Sequence, residues 1–436
     1  MIRYAGSLIE RYRRSTLARN SSWMFLGFGA RIVVQAGYFV LIARALGPRE
    51  YGKFVGITAL IALASPFVSL GAGNVLIKYV ARDKSAFSKS WGNALTMLAA
   101  SGVVLFAAVI SIVRLVLPGS ISWTLILVVC ISDLILVRIA DIACQGFQAM
   151  NRMSYVAQLS LLPYVLRFLG AVVVFTMWHR VTALRWAWFY LGATVISSIA
   201  ALVLANRILG TPKLGFSGTV RDLQEGFYFG ASLSAQTVYN DIDKTMLARL
   251  STLDATGVYA AAYRVIDVAF APVRSVLYAA YPDFFRHGHK GIAASYAYAK
   301  RLLPKMMGYS FVIFVALFAG ASILPAVLGN EYAQTAEALR WLALLPLFKS
   351  LHYFLADSLT GAGYQRSRTA AQIVVAVLNI ALNFWLIPAY SWRGAAWASL
   401  ASDGALVVAM YGIVMLGLAR EERTSVDFRV EQVQGS

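Results

Sequence analysis

The sequence predicts an all-α, polytopic membrane protein of about twelve transmembrane helices, arranged as two six-helix lobes around a central cavity. Three observations predict it. Hydrophobic residues fill 59% of the 436 positions and charged residues only 14%, with a mean hydropathy of +0.66, against roughly 45–50% apolar content in a soluble domain. Apolar runs of about 20 residues, enough to cross a ~30 Å hydrocarbon core, follow one another along nearly the whole chain. Ten-residue stretches of alternating polarity are missing, which argues against a β-barrel.

The elements are read in chain order. Tyr4, Leu8 and Tyr12 oppose Arg3, Arg11 and Arg14, the pattern of an interfacial amphipathic helix. The first apolar run starts near Trp23, includes Arg31 and reaches Ile42 without a small-residue cleavage site, so it reads as a first span rather than a cleaved signal. The first six spans cover residues 21–43, 54–80, 91–117, 121–148, 154–177 and 183–206. The second six cover 226–247, 257–282, 302–328, 333–358, 369–389 and 393–418. The hydrophilic segment Arg207 to Glu225, with Gly210, Pro212, Gly215 and Gly218, separates them. The expected organisation is therefore an N-terminal lobe (1–206), a cytoplasmic linker (207–225), a C-terminal lobe (226–420) and a cytoplasmic tail (421–436).

Loop charge sets the orientation. With the N-terminus inside, about 23 of the 39 Lys and Arg residues fall in cytoplasmic segments, and about 9 lie outside, among them Arg49, Arg180 and Arg393. Both termini are then cytoplasmic. This asymmetry accounts for most of the net charge of +19, which in a soluble chain would point to nucleic acid; an anionic ligand or anionic lipid accounts for the remainder.

The halves carry a weak repeat. Ala43-Arg44 and Glu50-Tyr51-Gly52 correspond to Ala248-Arg249 and Ala255-Thr256-Gly257 at an offset of about 205, and Asn151-Arg152 to Gln365-Arg366 at about 214. An even number of spans per half gives both copies one orientation, implying a pseudo-two-fold axis along the membrane normal with the substrate path between lobes.

Asn20, Trp23, Ala43-Arg44-Ala45-Leu46-Gly47-Pro48, Glu50-Tyr51-Gly52 and Leu70-Gly71 resemble the opening of polysaccharide flippases, the O-antigen type among them, in the multidrug/oligosaccharidyl-lipid/polysaccharide exporter superfamily. The resemblance extends to the six-plus-six architecture. It implies translocation of an undecaprenyl-diphosphate-linked oligosaccharide from the inner to the outer leaflet of the bacterial inner membrane, for surface polysaccharide such as lipopolysaccharide.

Charges embedded in the spans locate the function. Arg31, Arg138, Arg167, Arg264, Arg274, Arg340 and Lys349 would together cost roughly 17–25 kcal/mol if they faced lipid. That exceeds the roughly 5–15 kcal/mol stability of a fold, so most must meet water, protein or ligand. Arg31, Gln35 and Tyr38 stand at i, i+4 and i+7 on the first span; Gln236, Asn240 and Asp243 take the matching places on the seventh. Arg264, Asp267 and Arg274 share a face of the eighth span; Arg138 with Asp141 mark the fourth, Lys349 with His352 the tenth. One reading is interhelical stitching and self-neutralising pairs, at about 0.6 kcal/mol per pair. The other is a substrate cavity lined by Arg31, Gln35, Asn240, Arg264, Arg274, Arg138, Lys349 and His352, suited to a diphosphate because guanidinium forks match phosphate oxygens. Gln372, Asn379 and Asn383 on the eleventh span would then meet sugars. Arg167 is disfavoured, since it points away from Gln158 on its own span.

No catalytic constellation is found, and no Gly-Lys-Ser/Thr phosphate loop, so the chain is expected to be no enzyme and to use no ATP. Transport would run on the substrate gradient or on H+ or Na+, with Asp141, Asp243 and Asp267 as the coupling carboxylates. Cys130 and Cys144 lie about 21 Å apart on one helix, too far for a disulfide, and His287 with His289 lacks partners at metal spacing. Neither a metal nor a cofactor is expected; the partners are the lipid-linked glycan, the bilayer and the glycan polymerase machinery. A multidrug or cation antiporter of the same superfamily, or a membrane glycan polymerase or ligase, stays open as an alternative.

Overall fold

The computed structural model describes residues 16–178, 180–213 and 220–434; the N-terminal interfacial helix lies outside them. Within the described residues the chain is helical with no strand, and it divides into two compact units, one ending at Thr237 and one beginning at Val238. The division falls inside the helix that carries the seventh span, a few turns after the hydrophilic connection.

In the first unit, α1 (Thr16–Ala64) holds the first span and part of the second in one continuous element. The two are joined by a kink at Gly47 (φ 70°, ψ 170°) before Pro48, where glycine tolerates the positive φ and proline supplies no N–H to the interrupted ladder. A tight turn at Ser65–Gly71 then breaks the second span before α2 (Ala72–Arg82). Next come α3 (Phe87–Val116) and α4 (Trp123–Cys130); a wide turn at Ile131–Leu136 leads on into α5 (Val137–Ala149). Finally α6 (Met153–Met177) packs along α1, and α7 (Ala183–Ile208) packs on both α5 and α6.

Each end of this unit is tied. At one, Glu50 accepts from the backbone N–H of Ala183 (2.7 Å) and Val181 N–H donates to the Ala45 carbonyl (3.1 Å). At the other, Trp91 Nε1 donates to Asn206 (2.9 Å) and Lys213 N–H to the Ser88 carbonyl (2.9 Å).

The second unit is built on the C-terminal part of α8 (Val220–Leu250), followed by α9 (Leu253–Gly288) and α10 (Ile292–Gly320). The short α11 (Leu324–Leu328), α12 (Thr335–Leu342) and α13 (Leu345–Gly361) come next, so the tenth span is broken in two. The last pair are α14 (Gln365–Tyr390) and α15 (Trp392–Gln434). Backbones of α9 and α13 touch at glycines: a Cβ on Gly361 would meet the Phe284 carbonyl oxygen at 2.3 Å. One end joins Ser251 to Ser391 (2.6 Å) and Glu337 to Arg393 (2.9 Å); at the other, Glu421 accepts the N–H groups of Ile292 and Ala293.

Among the described residues, seven helices are long and apolar enough to cross a membrane. The fourth, seventh, eighth and tenth sequence spans fall outside that set. Each of the four carries two or more embedded charges, and the tenth is broken as well, features that hydropathy counts against them and a polar interior would use.

Candidate functional site

A cavity of about 330 Å³ opens within the first unit. Its wall draws on four elements and repeats helical spacing on three of them. Arg31 and Thr58 come from α1, on either side of its kink; Arg138 and Asp141 come from α5 at i and i+3, Tyr164 and Arg167 from α6 at i and i+3, and Tyr190, Thr194 and Ser197 from α7 at i, i+4 and i+7. Side chains three, four or seven apart share one helical face, so α5, α6 and α7 each turn one polar stripe inward. Asp133 joins them from the wide turn Ile131–Leu136, a local i→i+5 geometry often found at functional positions.

The three guanidinium groups are held differently. Arg31 donates through Nη2 to the Tyr164 hydroxyl (2.6 Å), its Cζ 4.5 Å from that ring's centroid. Arg138 pairs with Asp141 (2.9 Å). Arg167, only 8% exposed, donates to the Thr194 hydroxyl (3.2 Å) and lies 3.8 Å over the Tyr190 ring. Among the described residues no carboxylate reaches Arg31 or Arg167 at ion-pair distance, and the buried Nε atoms of Arg138 and Arg167 have no hydrogen-bond partner. Asp133 is turned instead to Tyr190, whose hydroxyl donates to it (2.7 Å).

Three of the residues singled out from the sequence, Arg31, Arg138 and Asp141, thus meet in one cavity. Gln35, one turn along α1, does not line it. Arg167, disfavoured from its angle to Gln158, lines the wall: the relevant neighbours are Tyr164 on its own helix and Tyr190 and Thr194 on α7, not Gln158. Arg138 and Asp141 form the self-neutralising pair and still face the cavity. Tyr164, Tyr190 and Thr194 were missed, although the seven-residue polar stripe from Tyr190 to Ser197 was a readable signal.

The other candidates lie in the second unit. Lys349, 5% exposed, donates to Asn240 Oδ1 (2.9 Å) and the Tyr263 hydroxyl (2.6 Å). His352 Nε2 meets Asp403 Oδ1 at 3.0 Å, both buried. Asp243 accepts from Tyr259, from Ser399 (3.0 Å) and from the Lys244 backbone N–H (2.7 Å). Arg274 donates to the Asp267 carbonyl (2.7 Å) and approaches its carboxylate (3.5 Å), so its partner is seven residues back and not at the i±3 or i±4 positions. Arg264 sits half-buried on the same helix. Gln372, Asn379 and Asn383, expected to meet sugars, are buried, and they bond to Tyr239, to Ser402 and to one another. Cys130 and Cys144 are both free thiols.

A family model described as polysaccharide biosynthesis protein matches residues 17–287. No curated protein matches the chain. Among solved structures, the inward-facing conformation of a multidrug resistance MATE family transporter of the MOP superfamily superposes with a TM-score of 0.73 at 13% identity, covering 89% of this chain and 94% of that one. Lipid II flippase MurJ in an inward closed conformation gives 0.69 at 14%, covering 91% and 87%. A MOP superfamily transporter from Pyrococcus furiosus, described as having a binding pocket of reverse polarity, gives 0.65 at 14%, covering 93% and 95%. At these identities the likeness is one of fold.

Proposed function

Because the chain belongs to the polysaccharide biosynthesis protein family, we propose that it is a flippase carrying an undecaprenyl-diphosphate-linked oligosaccharide from the inner to the outer leaflet of the bacterial inner membrane. The observation that carries this reading is the cavity with three arginines inside a membrane-spanning unit. A buried cation that makes no contact ion pair recovers little of a desolvation penalty of several kcal/mol. Arg167 is such a cation: Asp133 in the same wall lies beyond ion-pair distance and is bonded to Tyr190, and the Arg167 Nε donor is unused. A diphosphate supplies what it lacks: negative charge, acceptor oxygens only, and a geometry that the guanidinium fork meets in pairs of hydrogen bonds. The polyprenyl tail is apolar and stays in the bilayer while the headgroup occupies the cavity, which opens in turn to either side.

On this reading Arg31, Arg138 and Arg167 hold the diphosphate. Asp141, Asp243 and Asp267 remain candidates for coupling to H+ or Na+, with both termini cytoplasmic. Asp133 and Asp141 in the same wall favour a second reading, a cation antiporter, for which the arginines would be counter-ions.

One experiment separates the two. In cells lacking their own flippase, Arg31→Ala and Arg167→Ala are expected to lower surface polysaccharide more than about tenfold at normal protein level, with Lys restoring only part because it lacks the fork. Full export by the double Ala variant, or resistance to cationic dyes that is lost with Asp133→Asn, would overturn the flippase reading.

A further inference from the structure

One wall of the first unit holds a guanidinium and a carboxylate that do not join. Arg138 already has its carboxylate in Asp141 (2.9 Å). Arg167 and Asp133 line the same cavity, yet among the described residues neither forms an ion pair. Opposite charges in a buried wall attract strongly, and a guanidinium fits a carboxylate in paired hydrogen bonds, so something must hold these two apart. Both touch one side chain, Tyr190. Its hydroxyl donates to Asp133 Oδ1 (2.7 Å), and its ring centroid lies 3.8 Å from the Arg167 Cζ.

We propose that Tyr190 is a positioning residue: its hydroxyl keeps the Asp133 carboxylate off Arg167, and so keeps that guanidinium open to an incoming anion. The inference rests on the flippase reading and adds to it the residue that stops the arginine wall from neutralising itself. A phenol suits this place because it offers an O–H donor to the anion at its rim and a π face to the cation. Phenylalanine would serve only the cation, serine only the anion. The ring is set by packing and not by its hydroxyl. Tyr190 is buried, edge-on to Phe54 (centroids 5.2 Å apart) and Trp186 (6.4 Å). Its backbone carbonyl accepts the Thr194 hydroxyl proton (2.7 Å), and the Thr194 oxygen in turn accepts from Arg167 (3.2 Å). Arg167 is therefore fixed by the ring and by Thr194, whereas Asp133, from the wide turn Ile131–Leu136, is fixed by the hydroxyl. The two jobs sit on different atoms of one residue and can be separated by substitution.

The test measures pyrophosphate binding to the purified full-length chain by calorimetry, in wild type, Tyr190→Phe, Asp133→Asn and the Tyr190→Phe/Asp133→Asn double variant, with thermal unfolding to establish that each is folded. Phenylalanine keeps the ring and its packing and removes only the hydroxyl, which releases Asp133 to Arg167. Tyr190→Phe is expected to bind pyrophosphate about tenfold more weakly than wild type. In the double variant a neutral amide has no charge with which to neutralise Arg167. Binding there is expected to return to that of Asp133→Asn alone, at least as tight as wild type, so the two substitutions are strongly non-additive. A hydroxyl that acted only on packing, or touched the anion itself, would weaken binding equally in both backgrounds. That result, or unchanged binding in Tyr190→Phe, overturns the inference and leaves the flippase reading standing. If wild type binds no pyrophosphate, the flippase reading fails and takes the inference with it.

Discussion

Arg167 is held by neighbours none of which forms a contact ion pair with it. Thr194 accepts one N–H, Tyr190 offers its ring face, and Asp133 is engaged by the Tyr190 hydroxyl. Cation–π contacts of this kind contribute about 0.5–2 kcal/mol, too little to replace hydration, so the site favours an incoming anion. Asp133 opposes that anion. Asp133→Asn, which keeps an acceptor for Tyr190 and removes a negative charge from the wall, is expected to tighten pyrophosphate binding severalfold, measured by calorimetry; weaker binding would mean that the carboxylate supports the site rather than opposing it. At this scale Arg31, Arg138 and Asp141, which line the cavity, stand out in the sequence because an embedded charge is conspicuous in hydrocarbon. The grouping of Arg167 with Tyr190 and Thr194 is not legible there, because the partners lie on another helix: Thr194 is 27 residues from Arg167, and periodicity within one span carries no information about which helix faces it.

Helix ends explain a motif that the site does not use. Glu50 belongs to the Glu-Tyr-Gly segment after the first span, yet its carboxylate accepts from Ala183 N–H, at the start of α7. The first N–H groups of a helix lack internal partners and favour a negative charge, so Glu50 fixes the start of the helix that carries Tyr190 and Thr194. Glu421 does the same for α10 in the other unit. Glu50→Gln keeps an acceptor but loses the charge, and Glu50→Ala loses both; losses of about 1 and 2–3 kcal/mol are expected in turn. Thermal unfolding of the detergent-solubilised chain checks the order, and an unchanged melting point for the Ala variant would remove the capping role. Span positions were largely legible, since a 20-residue apolar run has few other uses. Breaks were not: the kink at Gly47 leaves one long helix where two were expected, and the tenth span splits between Leu342 and Leu345. Both depend on tertiary packing that span-length averages of hydropathy smooth over.

For the molecule as a whole, loop charge sets an expected orientation, and the tied ends fix only which loops share an end of each unit. Segments 45–50 and 181–183 meet at one end of the first unit, and 251, 337, 391 and 393 at one end of the second, as alternate crossings require. In a background without Cys130 and Cys144, single cysteines at Arg49, Arg180 and Arg393 are expected to react with an impermeant thiol reagent added to whole cells. Those at Lys84, Lys290 and Arg366 should react only after lysis, and the reverse pattern would invert the assigned orientation. The central claim is that a lipid diphosphate crosses by way of the arginine wall of the first unit. Its most direct test is transfer of a labelled polyprenyl-diphosphate oligosaccharide between the leaflets of vesicles that contain the purified chain. The account predicts transfer well above that of protein-free vesicles, lost in the Arg31→Ala/Arg167→Ala variant and insensitive to cationic dyes; equal transfer by wild type and double variant would contradict it.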